Sequence, residues 1–198
     1  CESRSALHSL VCIPYIPLIP PLPLQAVRLQ WHVVLVIEHQ QVVGFLQFLL
    51  SGHCDARAAG TVLTGPAAIR LRPGLAREPD LLVVAPGDAA GLKGCRVEAC
   101  PILIVEVAGS DSERRDLVDK AAEYSARGVP EYWVVLLHRR QVVVHRPGAP
   151  GREHLPEIAA SCRVASGSLP GFWVDLGWIW QPAAVNRVEC LKALLGSV

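Results

Sequence analysis

The stretch PILIVEVA at residues 101–108, followed by a charged segment at 111–127, decides the fold of this chain. Its apolar run is typical of a buried strand, and the apolar positions of the segment after it recur with helical spacing. Glu106 is the single carboxylate inside the apolar run. Because an unpaired carboxylate is costly to bury, we expect Glu106 to have a partner contributed by another part of the chain.

The composition is that of a globular protein with a nearly balanced charge. The chain has 198 residues, of which 51% are hydrophobic and 19% charged, and this suffices for one domain with a real core. The formal net charge of +1 is unlike that of strongly basic nucleic-acid binders, so any site for a polyanion must be local. We divide the chain into an irregular, non-native or mis-started segment at 1–37, a domain at 38–180 and a C-terminal tail at 181–198.

The spacing of the cysteines argues against a zinc-binding protein, and the proline-rich start argues against a membrane-spanning one. The seven cysteines include no C-x-x-C pair of the kind that indicates a zinc site, and we interpret them as reduced thiols of a cytoplasmic protein. Residues 10–25 are apolar but contain five prolines, too many for a membrane-spanning helix. We therefore expect no membrane association.

The order of helices and strands predicts an α/β or α+β fold. A helical run from residue 38 ends near Ser51-Gly52, and a second helix is expected at 111–127, where Gly128 is a suitable stop. Residues 86–100 are expected to form a loop and residues 174–180 a short helix. Apolar runs between turn residues predict the strands, at 60–64, 66–71, 81–85, 101–108, 131–137 and 141–145, with weaker ones at 153–165. This order indicates a mixed β-sheet flanked by helices.

Asp80 and Glu106 form the first candidate pair. Asp80 follows Pro79 at the mouth of one apolar strand, and Glu106 lies inside the next long one. If these strands are neighbours, both carboxylates converge and suit a hard cation such as Mg²⁺, which takes one or two carboxylate ligands. Two alternatives stay open: Asp80 as a turn or capping residue, and Glu106 as a solvent-facing residue of an edge strand.

Lys120 adds a positive charge to this pair. It lies at the margin of the apolar stripe of the second helix, one turn after Asp116, on a helix that begins close to Glu106. The alternative is a solvated lysine paired with Asp116 at i,i+4. Two carboxylates with a divalent cation and a lysine are suited to phosphodiester hydrolysis, because the cation activates water and the ammonium stabilises developing charge.

Several motifs, in order, resemble one family. They are REPDLLVV at 77–84, PILIVEVAGSDSERRDLVDKAAEYSARGVPEYWVV at 101–135 and SLPGF at 168–172. These motifs are similar to the Uma-two family of putative restriction endonucleases, within the PD-(D/E)xK nuclease superfamily, and the resemblance covers residues 38–178. It implies a restriction-endonuclease-like core in which Asp80 and Glu106 bind Mg²⁺ or Mn²⁺.

The chain also departs from the superfamily pattern. Ala108 occupies the lysine position of the (D/E)xK motif, and the resemblance implies that Lys120 on the following helix takes that role. Asp116 and Tyr124 would orient Lys120 from adjacent turns. The upstream acidic motif of the family is missing, whereas His39 matches a family histidine at the start of the first helix. We regard His39 as a supporting residue that contacts metal or phosphate, with a helix cap or surface residue as the alternative.

Two functions agree with these residues. The first is a metal-dependent endonuclease that hydrolyses DNA in the cytoplasm, with a homodimer as a candidate assembly, since many nucleases cut both strands as symmetric dimers. The second is a catalytically inactive module of nuclease fold that binds nucleic acid or protein. Further candidates for a phosphate groove are the arginines at Arg70, Arg72, Arg77, Arg114 and Arg115.

Overall fold

The computed structural model describes residues 37–94, 96–147 and 156–196. Its helices are α1 (Ile37–Arg57), α2 (a π-helical segment Arg115–Lys120 continued by the α-helical segment Ala121–Arg127), α3 (Leu176–Trp180) and α4 (Arg187–Leu195). Short 3-10 turns occupy Pro86–Gly91 and Leu137–Arg139. None of the helices in these ranges has the length and apolar character required to cross a bilayer.

Strands account for most of the core. They are β1 (Thr61–Thr64), β2 (Ala68–Arg72), β3 (Leu75–Arg77), β4 (Leu81–Val84), β5 (Leu92–Lys93), β6 (Arg96–Val97), β7 (Leu103–Ala108), β8 (Tyr132–Leu136), β9 (Gln141–His145), β10 (Glu157–Ala159), β11 (Arg163–Ala165) and β12 (Trp173–Asp175). The main sheet has the order β1-β4-β7-β8-β9-β10. Its β7–β8 pair is parallel, with α2 as the crossover, and its other pairs are antiparallel.

Both faces of the main sheet are covered. Alternation along β4 sends Leu81 and Val83 to one face and Leu82 and Val84 to the other. The first face packs against α1, α3 and α4, and the second packs against α2 and a small sheet with the order β3-β2-β6-β5. The structure thus confirms the predicted mixed β-sheet flanked by helices. The central strands are apolar at almost every position because both of their faces are buried, and Glu106 of β7 is an exception.

The β7–α2–β8 unit contains the stretch quoted first. Ile104 and Ala108 of β7 lie on the face covered by α2, and alternation places Glu106 between them on that face. Gly128 ends α2 in the left-handed conformation, with φ of 90°, and its N–H binds carbonyl oxygens of the last turn. Glycine adopts this conformation without a Cβ clash, so the predicted helix stop is confirmed.

The first helix is longer than predicted. It continues through Gly52 to Arg57, so the predicted stop at Ser51-Gly52 is wrong. A Cβ added at Gly52 would lie 2.6 Å from Cδ2 of Leu191 on α4. The glycine therefore allows two helices to approach closely rather than ending one of them.

Two segments predicted to be irregular contain regular elements. The predicted loop at 86–100 includes β5 and β6, which join the small sheet through the parallel β2–β6 pair. The predicted C-terminal tail contains α4, in which Cys190 and Leu194 are buried in the core beside α1. Short elements of this kind depend on tertiary packing more than on local propensity. The prediction for residues 1–36 lies outside the described residues.

Candidate active site

The antiparallel register of β4 and β7 brings Asp80 to Glu106. Leu81 pairs with Val105, so continuing the register by one residue sets Asp80 opposite Glu106. Oδ2 of Asp80 accepts a hydrogen bond of 2.7 Å from the backbone N–H of Val107. The two strands are neighbours, as the predicted convergence of the carboxylates requires.

Glu106 is buried beneath α2 with two donors on one oxygen. Its Oε1 lies 2.8 Å from Nζ of Lys120 and accepts a hydrogen bond of 2.9 Å from the hydroxyl of Tyr124. The residue is only 4% exposed, and β7 is flanked by strands on both sides. The alternative of a solvent-facing residue on an edge strand is therefore wrong.

Lys120 is also held by the carboxylate one turn earlier. Its Nζ lies 2.8 Å from Oδ1 of Asp116, and the two side chains are 12% and 4% exposed. The pair is largely withdrawn from water, unlike the solvated surface pair considered above. Asp116 is fixed through its backbone as well, since the hydroxyl of Tyr132 donates to its carbonyl oxygen at 2.9 Å. Asp116 and Lys120 share the π-helical segment, a conformation that occurs frequently at functional sites.

Tyr124 has a different contact from the one predicted. Its hydroxyl donates to Glu106, so the tyrosine fixes the carboxylate rather than the ammonium of Lys120. Its ring is fully buried and lies edge-on to Tyr132, with 4.9 Å between the centroids. Burial raises the pKa of Tyr124, and the charge of Glu106 raises it further, so the hydroxyl keeps its proton.

His39, at the start of α1, contacts the other carboxylate. Its Nε2 lies 3.2 Å from Oδ2 of Asp80, the oxygen that also accepts from Val107. The hydrogen bond to Asp80 raises the pKa of His39, although burial acts in the opposite direction. His39 is therefore part of the cluster around Asp80 and not an isolated surface residue.

Negative charge exceeds positive charge in this cluster. It holds three carboxylates and one ammonium, so its net charge is −2 when all three carboxylates are ionised and the imidazole is neutral. Burial raises the pKa of Glu106 to about 7; the Lys120 charge opposes this shift, and the neighbouring carboxylates add to it. Burial alone would lower the pKa of Lys120, but Glu106 and Asp116 raise it overall, so the ammonium stays charged. The surplus is of the size that a divalent cation would neutralise.

Asp80 and Glu106 each keep one carboxylate oxygen uncommitted. Within the described ranges, no hydrogen bond or ion pair reaches Oδ1 of Asp80 or Oε2 of Glu106. In the same part of the chain, no three His, Cys, Asp or Glu side chains converge as a metal-binding group. Two carboxylates fit Mg²⁺, which binds proteins through one or two carboxylates and fills its other positions with waters and phosphate oxygens.

The contact between Val107 and Asp80 has no signal in the sequence, and Arg77 has a different partner from the one predicted. The N–H of Val107 is a backbone group, so only the strand register could have identified it as a partner of Asp80. Arg77, predicted for a phosphate groove, instead makes a bidentate ion pair with Glu123 on α2, with both bonds 2.8 Å long. The other predicted arginines are exposed, namely Arg70, Arg72, Arg114 and Arg115.

Comparison with known proteins gives one family and one similar fold. The family model Uma2, described as "Putative restriction endonuclease", matches residues 33–177. A crystal structure described as a putative nuclease belonging to DUF820, from Anabaena variabilis ATCC 29413, is similar with a TM-score of 0.61 and 10% sequence identity. The match covers 73% of this chain and 80% of that chain. At this identity the likeness shows the shared fold alone. No curated protein matches the chain.

Proposed function

The chain belongs to the Uma2 family of putative restriction endonucleases, and we propose that it is a divalent-cation-dependent endonuclease that hydrolyses phosphodiester bonds in DNA. The family and the nuclease-like fold support the general assignment as a nuclease. The choice of cation, substrate and residue roles rests on the geometry around Asp80 and Glu106.

One observation carries the proposal: each of the two carboxylates is anchored through one oxygen, and no described residue binds the other oxygen. Val107 and His39 occupy Oδ2 of Asp80, while Lys120 and Tyr124 occupy Oε1 of Glu106. Glu106 is buried, and a buried carboxylate with a purely structural role usually has its hydrogen-bonding capacity satisfied, whereas Asp80 is partly exposed. Two oriented free oxygens on neighbouring strands support a role as ligands of one Mg²⁺ or Mn²⁺ ion.

The chain contributes fixed geometry around that ion. When bound, the cation supplies a Lewis acid that polarises the phosphate and lowers the pKa of a coordinated water. Asp80 and Glu106 would hold it. His39 and Tyr124 each contact one of these carboxylates through the oxygen that is not assigned to the ion.

Lys120 supports the attack on phosphorus. An ammonium has three N–H donors, and Nζ of Lys120 lies 2.8 Å from one oxygen of Glu106 and 2.8 Å from one oxygen of Asp116. The third is available to a water or to a phosphate oxygen. A positioned ammonium in a site of low exposure stabilises negative charge that develops in the transition state. Asp116 acts through Lys120 and is therefore a positioning residue.

The proposal also includes a cytoplasmic location and a homodimeric assembly. Free thiols at Cys54, Cys100, Cys162 and Cys190 support a reducing, cytoplasmic environment. A homodimer would place two such sites on the two strands of a duplex, as in the many nucleases that cut both strands as symmetric dimers.

Conversion of supercoiled plasmid DNA to nicked and linear forms tests this function. The wild-type chain should cleave with Mg²⁺ or Mn²⁺ and not with EDTA, and Asp80→Asn should be inactive. The control is Lys192→Ala on α4, where the side chain is 67% exposed. This variant should cleave like the wild type. Equal cleavage by Asp80→Asn would overturn the assignment. Binding of DNA without cleavage by the wild type would instead favour an inactive nucleic-acid-binding module.

A further inference from the structure

Positive charge is concentrated on the outer side of the small sheet. Arg70 and Arg72 of β2 and Arg96 of β6 are exposed, and we call these three residues the arginine face. The formal charge of the whole chain is only +1, so the remainder of the chain is net negative. The protein therefore has a local basic surface, although its composition is nearly neutral.

Strand pairing explains why the three guanidinium groups share one side. Ile69 of β2 pairs with Val97 of β6, and both are buried against the main sheet. Neighbouring positions on each strand point the other way, which places Arg70 and Arg96 towards solvent. Arg72 lies two residues after Arg70 on β2, so alternation exposes it as well, although the register with β3 shifts between the two arginines.

The arginine face is not used in ion pairs within the described residues. No carboxylate of those ranges lies within salt-bridge distance of its three guanidinium groups. Nearby Arg77 differs, because Glu123 neutralises it. Unpaired arginines are suited to phosphate groups, which they bind with charge and with paired N–H donors.

The arginine face is connected to the candidate active site through α2. Arg77 of β3 binds Glu123 of α2, and Arg127 of α2 donates to the carbonyl oxygens of Arg70 and Glu98 at 3.2 and 2.9 Å. Lys120 precedes Arg127 by seven residues, which corresponds to about 10 Å of helix. That is about three base-pair steps of 3.4 Å along one DNA strand.

We propose that the arginine face binds the phosphate backbone of duplex DNA on the small-sheet side of α2, while the bond that is cleaved lies beside Lys120. This inference rests on the proposed nuclease function and adds the surface that holds the substrate. Arginine contacts to phosphate carry no sequence information, so the arginine face provides affinity and register while the groups around Lys120 act on the bond.

Salt-dependent DNA binding tests the arginine face separately from catalysis. The probe is a fluorescent duplex of 30 base pairs, titrated in EDTA at several salt concentrations, so that no cleavage is needed. The triple variant Arg70→Ala, Arg72→Ala, Arg96→Ala should reduce the slope of log K against log [salt] by about 2.7, which is about 0.9 for each lost phosphate contact. The triple Lys variant should keep most of the slope.

A charge-matched control removes three cations elsewhere. Arg57→Ala, Arg187→Ala, Lys192→Ala changes α1 and α4, which cover the opposite face of the main sheet. It should retain the wild-type slope, and all variants should show the wild-type circular dichroism spectrum. Wild-type binding by the arginine-face variant, or equal losses in both triples, would overturn the proposal. Neither result would bear on plasmid cleavage, which decides the nuclease function alone.

Discussion

The ammonium of Lys120 lies 2.8 Å from Oε1 of Glu106, although the two residues are separated by the whole turn between β7 and α2. This ion pair places an ammonium against the buried carboxylate in the middle of an apolar strand. Among the described residues nothing binds the second oxygen of Glu106, and the pair joins β7 to α2, the two elements that contribute Glu106 and Lys120 to the proposed chemistry.

Replacing Lys120 by Met should abolish most cleavage. Loss of a positioned charge that stabilises a transition state typically costs on the order of 10²–10³ in kcat. KM for DNA should change little because binding affinity is provided elsewhere. Steady-state cleavage over a range of DNA concentrations gives kcat and KM, with Lys192→Met on α4 as the control. A Lys120→Met variant with wild-type kcat would show that the ammonium has no part in the reaction.

Replacing Tyr124 by Phe should destabilise the fold without opening a cavity. The change removes only the hydroxyl that donates to Glu106, and hydrogen bonds to charged groups contribute about 1.5–3 kcal/mol. The free energy of unfolding in urea, measured at pH 8 where Glu106 is ionised, should fall by an amount in this range. A loss below about 0.5 kcal/mol would mean that the hydroxyl does not hold the carboxylate.

Glu131 should contribute to the stability of the fold and not to the binding of the cation. It is fully buried and accepts hydrogen bonds from Trp133 and from the backbone N–H groups of Gly167 and Ser168, at 2.6, 2.8 and 2.7 Å. Removing one partner of a buried charged network costs about 3–5 kcal/mol. Glu131→Ala should therefore lower the free energy of unfolding by this amount.

Glu157 provides the matched control for Glu131, because both side chains contact Arg146. The Glu157 side chain is 59% exposed, so Glu157→Ala should change the free energy of unfolding by no more than about 0.5 kcal/mol. Isothermal titration with Mn²⁺ should give the wild-type affinity for every variant that remains folded. Similar stability losses for the two variants would contradict the structural role assigned to Glu131.

Acid should destabilise the protein through His53. Burial lowers the pKa of His53 below its usual 6.5, and the charge of Arg57 lowers it further, while the hydrogen bond to Pro170 acts in the opposite direction. The unfolded chain therefore binds more protons than the folded chain below about pH 6.5, and stability falls as the pH decreases. One such group contributes at most about 1.4 kcal/mol per pH unit.

The comparison of wild type with His53→Gln isolates this effect. Glutamine can still donate to the carbonyl oxygen of Pro170 but does not titrate. Urea unfolding at pH 7.5 and 5.5 should show a smaller loss for the variant than for the wild type. Equal losses would assign the acid sensitivity to other groups, such as His145, whose pKa is also lowered by burial.

The apolar strands and the amphipathic helix were predictable because their patterns are local. Runs such as residues 81–84 and 103–108 carry strand signals along their whole length, and Gly128 ends α2 as its residue type predicts. The sequence predicted that Asp80 and Glu106 would converge if their two apolar strands were neighbours. The structure places β4 beside β7, although β5 and β6 lie between them in the chain.

Long-range contacts account for what the sequence did not predict. Glycine is a residue type that often ends a helix, but Gly52 lies inside α1. Its lack of a Cβ allows Leu191 of α4 to pack closely against α1. Tyr124 has the spacing to contact Lys120, but the pleat of β7 turns Glu106 towards it instead. A backbone donor such as Val107 has no residue-type signature at all.

The central claim is that Asp80 and Glu106 share one divalent cation. Anomalous diffraction from crystals grown with Mn²⁺ tests it most directly, because Mn²⁺ accepts the same oxygen ligands as Mg²⁺ and is visible by its scattering. We predict a single site per chain in contact with Oδ1 of Asp80 and Oε2 of Glu106, lost in Glu106→Gln. A Mn²⁺ site that avoids these two oxygens, or no site at a concentration that supports cleavage, would contradict the account.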